Sequence, residues 1–271
     1  MENIHFTDEA IAGLIMQGIL MIILPVVLLI IWKIKTKESI VPVIIGAVTW
    51  LAFAIILKLA PAYLLLYADN PVAKTISGNV WLTGILAGVL AGVFEETGRF
   101  LAFKFMLKKY ENHRSSITYG IGHGGFESVY VGFQMIITAV MGILINGGMA
   151  DQIFGNADPA MLETALGQID KQANLTIGEC LLGVFERIPA IAGHISFSVL
   201  VFAAVRERKF RYLYPTAIVL HALMDFSAVF YSAGIVEMWG MELILFIFAA
   251  VMATFAYWTY RQLDERKTET A

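Results

Sequence analysis

The chain has 271 residues, of which 58% are hydrophobic and only 15% are charged, and its formal net charge is −3. Soluble domains average about 45–50% apolar and about 25% charged residues. This composition excludes a soluble globular enzyme, a disordered protein and a basic nucleic-acid binder. The one cysteine, Cys180, excludes an intrachain disulfide and a cysteine-rich metal cluster. The composition is typical of a protein whose surroundings are the lipid bilayer.

Seven stretches of the chain are apolar enough to cross a bilayer, whose core of about 30 Å takes about 20 residues of helix. We predict an all-α, polytopic membrane protein with a single transmembrane domain that covers residues 1–271. In chain order, the seven spans are expected at about 11–32, 40–59, 80–105, 117–145, 177–205, 215–231 and 238–260.

Basic residues between the spans predict the orientation of the chain. Fourteen lysines and arginines flank the spans on one side, whereas the loops on the other side hold only Lys58, Lys74 and Lys171. Cytoplasmic loops carry the excess of lysine and arginine. We therefore expect a multi-pass protein of the cell membrane with its N-terminus outside and its C-terminus in the cytoplasm.

Several ionisable residues fall inside the predicted spans. A charged side chain near the centre of the bilayer costs about 2.5–3.5 kcal/mol on insertion scales, so such residues are expected to be few, paired and turned inward. In chain order, the third span carries Glu95, Glu96 and Arg99, the fourth His123 and Glu127, the fifth Glu186, Arg187 and His194, and the sixth His221 and Asp225.

The spacing of these residues indicates one shared site. Within a span they recur at i,i+4, as in the pair His123 and Glu127, and therefore lie on one helix face. Counted from the nearest cytoplasmic basic residue, the polar positions of four spans lie at similar depths of about 13–18 Å. We predict that they converge on a polar site in the cytoplasmic half of the bundle.

A run of glycines surrounds His123 in the fourth span, at positions 120, 122, 124 and 125. Glycine costs about 1 kcal/mol in a helix interior, so the run needs a reason. One interpretation is close packing of helices through small residues. The other is a thinned helix that leaves room for a water-filled pocket, and the two are compatible.

Three histidines and several carboxylates at one level favour a divalent metal, with zinc as the first expectation. Two adjacent carboxylates in a low dielectric do not both ionise cheaply. We therefore expect one of Glu95 and Glu96 to be the proton acceptor, while Arg99 holds the other as an ion pair. A carboxylate outside the set of ligands can then act as general base for a metal-bound water.

The motifs resemble those of a known group of membrane proteases. The string from Glu95 to Arg99, Glu-Glu-Thr-Gly-Arg, looks like the EExxR/K first motif of the intramembrane CAAX-protease-like superfamily. That group includes the type II CAAX prenyl proteases, the bacteriocin-processing proteins and the PrsW proteases. The string Gly-His-Gly-Gly-Phe-Glu at 122–127, then His194, then His-Ala-Leu-Met-Asp at 221–225, is most similar to the bacterial YhfC branch.

The resemblance implies an intramembrane endopeptidase and assigns roles to residues. Glu95 or Glu96 is expected to activate water, next to Arg99. Glu127, His194 and His221 are the leading candidates for metal ligands or oxyanion stabilisers, with His123 and Asp225 beside them. The prenyl proteases carry EExxxR and FxxxH where this chain has EExxR and HxxxE, so a prenylated substrate is not implied.

We thus expect an intramembrane metallopeptidase whose substrates are membrane-associated peptides or proteins. Two alternatives use the same polar core. One is a non-catalytic membrane scaffold or immunity protein, in which the buried polar residues serve assembly. The other is a proton-coupled transporter, which also lines a cavity with polar residues but usually shows inverted repeats and broken helices.

Overall fold

A computed structural model describes residues 4–155, 166–167 and 169–269, with side chains to residue 263. In this part of the chain there is no β-strand, and seven helices are long and apolar enough to cross a membrane. We label them in chain order: α1 (Asp8–Thr36), α2 (Val41–Tyr67), α3 (Val80–Met106), α4 (Arg114–Asn146), α5 (Ile177–Arg206), α6 (Arg208–Ser232) and α7 (Met238–Leu263, continuing to Glu269). The predicted all-α, multi-pass class is confirmed.

Helix α2 extends to Tyr67, beyond the predicted end at residue 59. It consists of an α-helical part, Val41–Trp50, a π-helical part, Leu51–Leu57, a short α-helical part, Lys58–Ala62, and a second π-helical part, Tyr63–Tyr67. A proline inside a helix removes one backbone hydrogen bond, and Pro61 lies between the two π-helical parts. Lys58, which the sequence placed in an outer loop, therefore lies inside a membrane-spanning helix.

The sixth helix also differs from its short predicted span of 215–231. It begins with a 3₁₀ turn at Arg208–Phe210, continues as Leu213–Phe226 and ends with Ala228–Ser232. Two short helices, Pro71–Ser77 and Ala150–Phe154, lie between spans. The side-chain oxygen of Asn79 caps α3 by accepting hydrogen bonds from the backbone N–H groups of Trp81 and Leu82, which would otherwise lack partners.

Contacts within the chain define two compact units. The first comprises Met1–Pro25 and Ser128–Arg187. Among its described residues, the core includes Phe6 and Leu14. The amide of Asn146 fixes the N-terminal segment, because it accepts a hydrogen bond from the Phe6 N–H at 2.9 Å and donates one to the Phe6 carbonyl at 2.8 Å.

The second unit comprises Val26–Glu127 and Ile188–Ala271 and contains every residue of the predicted site. The α5 part of this unit lies in its core, since Phe197, Leu200 and Phe202 are almost completely buried. Large apolar side chains on the outside of the same unit stay exposed, as at Ile34 (71%) and Leu59 (67%). Exposed apolar side chains of this kind are what a lipid environment favours.

Glycines let the helices of the second unit approach closely. A methyl group added at Gly92 of α3 would lie 2.5 Å from the carbonyl oxygen of Ile218 in α6. A methyl group at Gly122 of α4 would lie 2.6 Å from Cα of Val43 in α2. Both distances are too short for a side chain, so the close-packing interpretation of the glycine run is confirmed at Gly122. Close approach of α3 and α6 is what brings their polar residues into contact.

We expect Gly122→Ala to lower the stability of the protein by about 1–3 kcal/mol, because overpacking forces α2 and α4 apart. Thermal unfolding in detergent measures the change. Gly178→Ala is the matched control, since an added methyl group there meets only the Thr176 hydroxyl at 3.8 Å. Equal midpoints for the two variants would contradict the assignment of Gly122 as a packing contact.

Candidate metal centre

Four helices of the second unit bring polar side chains together. Helices α3, α4, α5 and α6 contribute Glu95, His123, His194 and His221, and each of these residues is at most 5% exposed. The ring centroids of His123 and His194 lie 4.9 Å apart, and those of His194 and His221 lie 5.3 Å apart. The convergence that the sequence predicted from equal depth is confirmed.

Glu96 is completely buried, and one of its oxygens accepts hydrogen bonds from two side chains. Its Oε1 accepts hydrogen bonds from the Arg99 guanidinium and from Nδ1 of His221, the latter at 2.6 Å. The carboxylate only accepts, so the ring proton of His221 is assigned to Nδ1. The lone pair of His221 is then on Nε2. A carboxylate that orients a histidine in this way is the usual second partner of a histidine that binds metal.

Glu95 is next to Glu96 in sequence but has different partners. Its Oε2 lies 3.1 Å from Nε2 of His123 and 3.9 Å from Nε2 of His221. Its Oε1 lies 3.8 Å from the ammonium of Lys58. The Nε2 lone pair of His221 thus faces the Glu95 carboxylate, and the two are separated by a gap wider than a hydrogen bond.

Lys58 is the site residue that the sequence analysis missed. It belongs to α2, and 27% of its side chain is exposed. A signal was present, because the chain stays apolar after it, through Leu64 to Leu66. An isolated lysine within one long apolar stretch costs free energy in a bilayer and is expected to have an acidic partner. Here that partner is Glu95.

His194 lies between an arginine and a carboxylate. Nη2 of Arg99 lies 3.3 Å from Nδ1 of His194, and Oε2 of Glu127 lies 2.7 Å from Nε2. Arginine only donates, so Nδ1 is the acceptor and Nε2 carries the proton that is donated in a hydrogen bond to Glu127. His194 therefore offers its Nε2 lone pair to a cation only after the proton moves to Nδ1 and the Arg99 contact opens.

Phe197 gives the centre an apolar wall. Its ring stacks on the His221 imidazole with a centroid distance of 4.9 Å and an interplanar angle of 7°. The Arg99 guanidinium lies 5.9 Å from the same ring centroid. An apolar wall excludes water and strengthens the electrostatic interactions of the groups beside it.

The described residues fit a divalent metal. One ligand atom each from Glu95, His194 and His221 lies within 4.8 Å of the other two, and all three residues are buried. Imidazole nitrogen and carboxylate oxygen are ligands that zinc takes. Two buried atoms near this group, Oε2 of Glu96 and Nδ1 of His123, have no hydrogen-bond partner among the described residues, and buried polar groups without partners are uncommon.

Asp225 and Glu127 are more exposed than the other predicted residues of the centre. Asp225 is 3.9 Å from Nε2 of His221, and its side chain is 37% exposed. Glu127 is 20% exposed. Glu186 and Arg187 pair with each other in the first unit. All eight predicted site residues thus lie in the second unit. The carboxylate that groups with His194 and His221 as a candidate metal ligand is Glu95, whereas the sequence analysis assigned that place to Glu127.

Seven apolar helices and a buried group of imidazoles and carboxylates define a multi-pass membrane protein with a candidate metal centre. Comparison with known families then identifies the group. The profile of the YhfC intramembrane metalloprotease family matches residues 20–245, and the chain belongs to this family. The resemblance that the motifs indicated is thereby confirmed.

One relative matches over nearly its whole length. It is the uncharacterized membrane protein YhfC of Bacillus subtilis (strain 168), which is 33% identical over 254 residues. The match covers 93% of this chain and 96% of that protein. No solved structure matches the chain.

Proposed function

We propose that the protein is an intramembrane endopeptidase that hydrolyses membrane-associated peptides or proteins. A divalent metal, with zinc as the first expectation, would be held by Glu95, His194 and His221. The observation that carries the proposal is the buried group of three ligand atoms within 4.8 Å of one another, in a chain of a metalloprotease family. When bound, such a cation polarises a carbonyl and makes water more acidic.

The proposed proton acceptor is Glu127. The resemblance implied that Glu95 or Glu96 would activate water, but Glu95 lies among the candidate ligands and Glu96 is occupied by Arg99 and His221. Glu127 is partly exposed, and its Oε2 already accepts a hydrogen bond from Nε2–H of His194 at 2.7 Å. We assign it to take the proton of the attacking water and to pass it to the leaving amine.

Other residues position these groups. Glu96 and Arg99 orient His221 and His194, and His123 donates a hydrogen bond to Glu95. Asp225 lies beside His221 and is partly exposed, so a substrate can approach it. Removal of a positioning residue is expected to weaken metal binding rather than to leave it unchanged.

Elemental analysis of the detergent-purified protein is the test. We expect about one zinc or similar ion per chain, lost in the His194→Ala/His221→Ala double variant. Proteolysis is then measured by comparing the new protein N-termini in membranes from cells that produce the wild type with those from cells that produce the double variant. No metal in either protein in chelator-free buffer would favour a scaffold. Solute flux in liposomes without hydrolysis would favour a transporter.

We also propose that the N-terminus is outside and the C-terminus is in the cytoplasm. Lys58 lies within α2, so only Lys74 and Lys171 remain in the outer loops. A Cys180→Ser background allows single-cysteine reporters, since Cys180 is the one natural thiol. We expect a membrane-impermeant thiol reagent to label Ser77→Cys on intact cells and Lys109→Cys only after permeabilisation. The reverse pattern would invert the topology.

A further inference from the structure

Lys58 is a cation inside a membrane-spanning helix, directly beside the candidate metal centre. Its ammonium lies 3.8 Å from Oε1 of Glu95. The other oxygen of Glu95 faces His123 and His221, at 3.1 and 3.9 Å. One carboxylate therefore faces the Lys58 ammonium with one oxygen and a candidate metal ligand with the other.

The backbone of α2 sets the position of Lys58. The π-helical part Leu51–Leu57 directly precedes it. The wider turn of a π-helix keeps residues four apart nearer to one face than an α-helix does. Trp50 and Ala54 are buried at 4% and 2% exposure, so this turn directs Lys58 inward along the same line.

We propose that Lys58 is the counter-ion of Glu95 in the metal-free protein and competes with the metal for this carboxylate. The proposal rests on the proposed function, because it takes Glu95 as a metal ligand. A buried carboxylate without a cation is unfavourable, and Lys58 supplies that charge when no metal is bound. A divalent ion at Glu95 is repelled by the ammonium, so Lys58 lowers the affinity for metal.

The Lys58 side chain can also move away when a metal binds. A lysine ammonium sits on a flexible four-carbon chain with rotatable donors. More than a quarter of the side chain is exposed, so the protein does not fully enclose it. Exchange of one cation for another then keeps the Glu95 carboxylate compensated in both states.

Zinc affinity is the measurement that tests the proposal. We expect Lys58→Met to lower the Kd for zinc by about tenfold or more, measured on the detergent-purified full chain by competition with a chromogenic chelator. Lys58→Arg keeps the cation and is expected to stay within about threefold of wild type. Lys74→Met is the matched control, since it removes the same charge from an ion pair with Asp69 outside the spans.

The outcomes separate this proposal from the proposed function. If the Kd of Lys58→Met is unchanged within about threefold, or is raised, Lys58 does not compete with the metal. The proposed metal centre is unaffected by that result. Zinc binding by Lys58→Met alone would support competition. No binding by either protein would remove the metal centre and this proposal together. If the methionine variant does not fold, Lys58→Gln replaces it, because its amide can still donate a hydrogen bond to Glu95.

Discussion

Glu127→Gln is expected to lose about 10²–10⁴-fold in peptidase rate while it still binds about one metal ion per chain. Glutamine has nearly the same shape as glutamate but cannot accept the proton of the attacking water. The metal ligands Glu95, His194 and His221 are unchanged in this variant. Metal content by elemental analysis and the rate on a substrate identified from membrane digests measure the two effects separately.

Glu95→Gln is the matched comparison. We expect it to lose metal and activity together, because one of three proposed ligands has lost its charge. The opposite pattern, in which Glu95→Gln keeps the metal and Glu127→Gln releases it, would exchange the roles of the two residues. The first-motif glutamate would then be the base, as the family resemblance implied. Full activity in both variants would exclude a glutamate base at either position.

Glu96→Gln is expected to lower the free energy of unfolding by about 3–5 kcal/mol, since it leaves the buried Arg99 guanidinium without its carboxylate. It is also expected to weaken metal binding by about 10–100-fold, because the His221 ring loses its orienting partner. Both groups are completely buried, so solvent does not compensate the change. Thermal unfolding in detergent and chelator competition measure the two effects.

Asp69→Asn is the control for Glu96→Gln. Asp69 forms an ion pair with Lys74 outside the spans, and both side chains are largely exposed, so we expect no measurable change in the unfolding midpoint. The metal affinity distinguishes a positioning role from a merely structural one. If Glu96→Gln lowers stability but binds metal as tightly as wild type does, Glu96 stabilises the fold without orienting His221.

Much of the fold and of the site could be predicted from the sequence. Mean hydropathy and the length needed to cross a bilayer predict the number of membrane-spanning helices, seven, because apolar helices of that length are stable only in a bilayer. Charged residues inside such helices must be paired and turned inward. That requirement identified His123, His194 and His221 before any coordinates, and their equal depth predicted one shared centre.

The tertiary structure decided which groups meet. Glu95 and Glu96 are identical in type and adjacent in sequence, but side chains one residue apart point about 100° apart around a helix. One therefore contacts Lys58 and His123, and the other contacts Arg99 and His221. Spacing alone does not fix the rotation of a helix against its neighbours, which depends on close contacts such as that of Gly92 with Ile218.

Lys58 shows most clearly the difference between what the sequence predicts and what the tertiary structure decides. The sequence analysis counted it among the cations of the outer loops, although it lies just inside the predicted end of the second span at residue 59. The structure continues α2 past Lys58 and Pro61, since π-helical turns on either side accommodate the proline. Composition thus determined that the chain spans the membrane and that its polar residues must be paired. Only helix packing and the local winding of α2 decided that Lys58 is the partner of Glu95.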